Sequence, residues 1–184
     1  MILDSFKLDG KVALVTGGGQ CLGQAMAIGL AEAGADIAIL DRRECEETSG
    51  AIQALGRKCY ESIVDLLQAS VDDLNEVVAD IVKELGRIDI LINNAGTIRR
   101  TPAIDFAEKD WDDVLQINLK AAFFLSQSVA RVMMKQGSGK IINIASMLSF
   151  QGGITVPSYT ASKSALAGVT RALANEWSAH NINV

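Results

Sequence analysis

Thr16-Gly17-Gly18-Gly19-Gln20-Cys21-Leu22-Gly23 is the stretch on which the fold turns. The apolar run Val12-Ala13-Leu14-Val15 precedes it, and a segment of helical period, residues 22–33, follows it. Strand, glycine-rich turn and helix in that order point the helix's free N-terminal amides at the turn, where they can receive a pyrophosphate. A glycine-rich loop says little by itself. Its context here includes an acidic residue, Asp41, at the end of the next apolar run, residues 36–40.

Outward from that unit the same alternation repeats. Short Val- and Ile-rich runs predict strands over residues 12–16, 36–40, 58–64, 88–93 and 140–145, and segments of helical period predict helices over 22–33, 45–55, 70–85, 108–135 and 158–179. Helices stop at Gly34, Gly56 and Gly86, residues suited to a left-handed cap. The pattern predicts an α/β fold, a Rossmann-like doubly wound parallel sheet in three layers. With only two prolines and no linker-like segment, residues 1–184 form one dinucleotide-binding and catalytic domain. The final residues, 180–184, read as the start of a further strand, so the sheet is expected to lack its C-terminal strands.

Composition narrows the partners. A net charge of -5 with no Lys/Arg block argues against nucleic acid. No apolar run is long enough to span a bilayer, and no N-terminal targeting pattern is present, so a cytoplasmic protein is expected. Cys21, Cys45 and Cys59 have neither disulfide-framework nor zinc-site spacing, and His180 is the only histidine, so no metal is expected. The helices over 108–135 and 158–179 carry more apolar surface than sheet packing needs, which predicts a homo-oligomer.

Asp41 stands where a carboxylate accepts both hydroxyls of an adenosine ribose and repels a 2'-phosphate, which argues for NAD over NADP. Arg42 and Arg43, directly behind it, offer guanidinium groups to a 2'-phosphate or to solvent. Further on, Tyr159-Thr160-Ala161-Ser162-Lys163 sets a phenol and an ammonium on one helix face, and Ser146 ends the fifth strand upstream. Moving a hydride between an alcohol carbon and a nicotinamide requires moving the hydroxyl proton as well. An ammonium beside a tyrosine favours the phenolate, and a serine hydroxyl can orient the reacting oxygen. Tyr159, Lys163 and Ser146 are therefore the candidate catalytic residues.

Together with Asn93-Asn94-Ala95-Gly96, these motifs resemble the short-chain dehydrogenase/reductase family over essentially the whole chain. The resemblance implies that Asn93, Ala95 and Gly96 line the adenosine side of the cofactor and that Asp65 and Leu66 contact the adenine. It also implies that Asn118 helps hold a proton-relay water, although by residue type alone Asn118 reads as a structural polar group. The cofactor set is then Gly17, Gly19, Cys21, Leu22, Gly23, Asp41, Asp65, Leu66, Asn93, Ala95, Gly96, Tyr159 and Lys163. Longer stretches, residues 98–100, 108–114, 141–153 and 175–177, resemble a bacterial branch acting on gluconate-type sugar acids, which implies a sugar-acid substrate, NAD and a homotetramer. Arg99 and Arg100 have the chemistry to grip a substrate carboxylate, or stand as surface charge or a subunit contact, and Gln151 is a further substrate candidate beside Ser146 and Tyr159. A 3-oxoacyl, polyol or steroid substrate, or an inactive nucleotide-binding fragment, are the alternatives. One departure stands out: the family usually has glycine where this chain has Cys21, whose side chain should crowd the approach to a pyrophosphate.

Overall fold

The computed structural model describes residues 1–2 and 4–184 in full and residue 3 by its backbone. Six parallel strands, β1 (Val12–Thr16), β2 (Asp36–Asp41), β3 (Cys59–Ile63), β4 (Ile90–Asn93), β5 (Gly139–Asn143) and β6 (Ile182–Asn183), form one sheet in the order β3-β2-β1-β4-β5-β6. The helices are α1 (Cys21–Glu32), α2 (Glu46–Ala54), α3 (Val71–Leu85), α4 (Glu108–Leu115), α5 (Ala122–Gln136) and α6 (Pro157–Trp177). The expected three-layer, doubly wound architecture is the observed one.

Strand alternation builds the layers. Ala13, Val15, Ile37 and Ile39 point to one face and pack with Ala27 and Ala31 of α1 and Ile52 of α2. Leu14, Leu91 and Ile141 point to the other face, against Val78 and Ile81 of α3 and Leu125 and Val129 of α5. At the sheet's N-terminal edge, buried Asp89 accepts hydrogen bonds from Arg87, Lys11 and the Val12 backbone. Burial alone would raise its pKa, but these donors outweigh burial and hold the carboxyl below its ordinary value. β5 differs from the central strands: Lys140 and Ile142 are exposed, so one of its faces carries no helix among the described residues.

Strand order reverses between β1 and β4, and open α/β sheets bind ligands at such a switch point, beyond the strands' carboxyl ends. Thr16 closes this point. Its hydroxyl donates to the Ile92 carbonyl and accepts from the Asn94 and Ala95 amides.

The helix expected over 108–135 is interrupted. A π-helical segment, Gln116–Ala121, separates α4 from α5. It contains Gln116, whose amide donates to the Leu66 and Ala69 carbonyls, and buried Asn118, whose amide ties down the Thr97 backbone. The wider turn thus falls where two side chains leave the helix to bind neighbouring backbone, a usual setting for such segments.

Candidate active site

A cavity of about 470 Å³ opens at the switch point. Gly17 and residues 20–23 form one wall, Asp41 and Arg42 a second, residues 64–67 a third, and residues 94–97 with Arg99 and Ile117 the floor. Gly23 is buried in the first turn of α1, where an added Cβ would fall on the Gly17 carbonyl. The loop and helix therefore touch backbone to backbone, and the free amides of α1 stay at the cavity rim.

Cys21, the first residue of α1, is exposed and has φ of 50°. Among Gly17, Gly18 and Gly19 only Gly17 has positive φ, so the loop does not reshape around the cysteine. Instead Cys21 adopts the left-handed backbone itself, at a cost of about 1–2 kcal/mol for a residue with a Cβ.

Asp41 is fixed in place. One carboxylate oxygen accepts the Gly19 N–H at 3.1 Å and the other accepts the Arg42 N–H at 2.7 Å, which holds the negative charge at the cavity wall. Asp65 is exposed, accepts the Leu67 N–H, and lines the cavity with largely buried Leu66. These groups match the polar half of a dinucleotide: helix amides for phosphate, a carboxylate for ribose hydroxyls, and a mixed wall for an adenine.

Asn93 departs from its expected place. It is buried and does not line the cavity; its amide donates toward Asn143 Oδ1, Ser126 Oγ and the Ala122 carbonyl, in the layer beneath α5. Asn94 is the cavity residue, with its amide on the Thr16 and Gly17 carbonyls. Strand period accounts for the swap, because Asn93 shares the face of Leu91, which packs against the α5 layer. Gly19 lies behind the cavity wall rather than on it and contributes through its hydrogen bond to Asp41.

The floor leads to the second cluster. A Cβ on Gly96 would sit 3.3 Å from Asn118 Oδ1 and 3.7 Å from Lys163 Nζ. Lys163, 3% exposed, donates from Nζ to the Ile144 carbonyl at 2.5 Å, and this nitrogen lies 5.9 Å from the centre of the Tyr159 ring. Burial pushes the Lys163 ammonium down to about 8, so the cation still predominates at neutral pH. Ser146 caps a short turn, Met147–Ser149, by accepting the Leu148 N–H at 3.1 Å, which leaves its own hydroxyl proton for another acceptor.

Asn118 spends its whole side chain internally. Oδ1 accepts the Thr97 N–H at 2.8 Å, and Nδ2 donates to the Thr97 carbonyl at 2.9 Å and to Ser162 Oγ at 3.1 Å. Ser162 in turn donates to the Tyr159 carbonyl. The side chain of Asn118 is thus a brace between the 94–97 loop and α6.

Arg99 lines the cavity but is already paired: Nε lies 3.3 Å from Asp110 and Nη2 3.9 Å from Asp113, and Nη1 donates to Thr97 Oγ1. Arg100 and Gln151 are exposed, and Arg100 forms no ion pair among the described residues.

The short chain dehydrogenase family model matches residues 11–184. A 2-dehydro-3-deoxy-D-gluconate 5-dehydrogenase of Dickeya dadantii is 57% identical, with all of this chain aligned to 72% of that protein. Among solved structures, one from Agrobacterium tumefaciens, named as a 2-deoxy-D-gluconate 3-dehydrogenase with bound NADP, is 47% identical with a TM-score of 0.87, over 97% of this chain and 70% of that one. An NAD+-bound xylitol dehydrogenase is 35% identical with a TM-score of 0.93, over 97% and 69%. Sequence, sheet order and site geometry lead to one statement: the chain belongs to the short-chain dehydrogenase family, nicotinamide-dependent oxidoreductases acting on CH–OH groups.

Proposed function

We propose that this protein oxidises a secondary alcohol of a gluconate-type sugar acid, or reduces the corresponding ketone, with NAD as its cofactor. The observation that carries the reading is the Tyr159–Lys163 pair, with Ser146 joined to the same helix through Ser149, next to a cavity whose wall holds an anchored carboxylate, Asp41. The 57% identity to an enzyme named for a dehydrodeoxygluconate supports the sugar-acid part.

The nicotinamide, when bound, supplies the hydride acceptor or donor. Tyr159 takes the alcohol proton during oxidation and returns it during reduction. Lys163, held beside the Tyr159 ring by the Ile144 carbonyl, sets a positive charge next to the proton-transfer group. The Ser146 hydroxyl donates to the reacting oxygen and orients it. Asn118 keeps the 97 loop and α6 in register. Gly17, Cys21, Leu22 and Gly23 would hold the pyrophosphate, with Gly19 acting through its hydrogen bond to Asp41, and Asp65, Leu66, Ala95 and Gly96 would hold the adenosine.

Asp41 repels the extra phosphate of NADP, and this outweighs exposed Arg42. For the substrate carboxylate, Arg100 is the better placed of the two arginines, since Asp110 and Asp113 already neutralise Arg99; Gln151 hydrogen-bonds the sugar hydroxyls. Residues 1–184 act as one domain in the cytoplasm. Self-association into a tetramer would cover apolar surface such as Trp111 on α4, 38% exposed.

Steady-state kinetics over a grid of cofactors and substrates tests this. The expected result is a kcat/KM at least about tenfold higher for 2-dehydro-3-deoxy-D-gluconate or 2-deoxy-D-gluconate than for xylitol, a hydroxysteroid or a 3-oxoacyl thioester. NAD is expected to exceed NADP by about tenfold, equivalent to about 1.4 kcal/mol. A preference for a neutral substrate would overturn the sugar-acid reading, and a preference for NADP the role given to Asp41.

A further inference from the structure

The catalytic groups sit on two separate elements. Ser146 lies just past β5, and Tyr159 and Lys163 lie on α6. Hydrogen transfer demands that such groups keep their mutual positions to a fraction of an ångström. Two bonds already join the β5 end to α6, Lys163 Nζ to the Ile144 carbonyl and Asn143 Nδ2 to Thr170 Oγ1, but neither reaches Ser146 itself.

Ser149 bridges that gap. Its Oγ accepts the backbone N–H of Ser146 at 3.2 Å and donates to the backbone carbonyl of Lys163 at 2.8 Å. A carbonyl oxygen has two lone pairs, so Lys163 can take this bond without giving up its place in the helix. The Ser146 peptide is then held from both sides, because its side chain also receives the Leu148 N–H. Ser164 fastens the same turn more weakly, its hydroxyl reaching the Leu148 and Ser149 carbonyls at 3.5 and 3.3 Å and bonding to neither Ser146 nor Lys163.

We propose that Ser149 is a positioning residue of the reaction, a single-hydroxyl strut that sets the distance between the Ser146 hydroxyl and the Tyr159–Lys163 pair. This rests on the catalytic roles proposed above for those three residues. Removing the hydroxyl leaves the turn capped by Ser146 and fastened by Ser164, and leaves the Lys163–Ile144 and Asn143–Thr170 bonds in place, so the fold survives while the Ser146 peptide shifts against α6. A misplacement of about an ångström can cost on the order of a hundredfold in rate.

The test uses the full chain with Ser149→Ala, Ser149→Thr and Ser164→Ala. Ser149→Ala is expected to lower kcat on the order of tenfold or more, with cofactor Kd and Tm close to the parent values. In the cofactor-free protein its Ser146 amide is expected to exchange with deuterium faster, having lost its acceptor. Ser149→Thr, which keeps the hydroxyl, restores both, and Ser164→Ala changes kcat by less than about twofold. Parental kcat and Ser146 exchange in Ser149→Ala would overturn the proposal, as would an equal loss in Ser164→Ala, which would mean only that the turn must be docked. Ser146→Ala separates this from its parent: full activity there removes the catalytic reading itself and the strut with it.

Discussion

Tyr159→Phe is expected to lower turnover by about 10²–10⁴-fold, the range of a lost general acid–base group, while leaving cofactor affinity nearly unchanged. The substitution removes one oxygen and keeps the ring. Bonds that tie α6 to its neighbours run through Lys163 and Ser149, Ser162 and Ser164, not through the phenol. The ring that Lys163 approaches at 5.9 Å stays in place. A loss confined to kcat, with Tm and the cofactor titration preserved, is therefore the signature of the proton-transfer role. Activity within about tenfold of the parent would contradict it.

The second large effect lies in the phosphate loop, where two neighbouring positions are expected to respond in opposite directions. Gly23→Ala places a methyl group on the Gly17 carbonyl and 2.6 Å from the Asn94 amide. Neither the backbone nor the anchored amide can yield cheaply, since Asn94 is bonded to the Thr16 and Gly17 carbonyls. Overpacking of this kind costs about 1–3 kcal/mol, and here the displaced atoms are those that shape the anion site. Urea denaturation and a cofactor titration should show a lower midpoint together with affinity weakened at least about tenfold. Cys21→Gly should do the reverse. Glycine relieves a left-handed residue of about 1–2 kcal/mol while adding up to about 1 kcal/mol of unfolded-chain entropy, for a small net gain. Unchanged stability in both variants would mean that the loop is not constrained as described.

Much of this was legible in the sequence, for identifiable reasons. Buried parallel strands announce themselves as continuous apolar runs, so β1, β2 and β4 were readable, and with the glycine-rich turn they imply the sheet order reversal that makes the cavity. The break at Gln116–Ala121 was not readable, because Val114, Ile117 and Ala121 continue the helical apolar period and the cause lies in distant backbone at Thr97 and Leu66. Asn93 and Asn94 are chemically identical, and only strand parity tells which faces the cavity. The pairing of Arg99 with Asp110 and Asp113 joins a loop to a helix that folds back over it, and charge order alone does not reveal that. Ser149 left no trace at all, since a serine bonded to two backbone groups looks like any other serine in a turn.

If this site moves a hydride from an alcohol carbon to a nicotinamide, an isotope placed on that carbon must reach the cofactor. A sugar acid carrying deuterium on its secondary carbinol carbons, incubated with the protein and NAD, tests it most directly through the isotope content of the reduced cofactor. The expected result is reduced nicotinamide that carries one deuterium at its hydride-accepting carbon for each ketone formed, and no such product from Tyr159→Phe on the same time scale. Ketone formation with an unlabelled cofactor, or no reduction of NAD or NADP by any sugar acid offered, would contradict it.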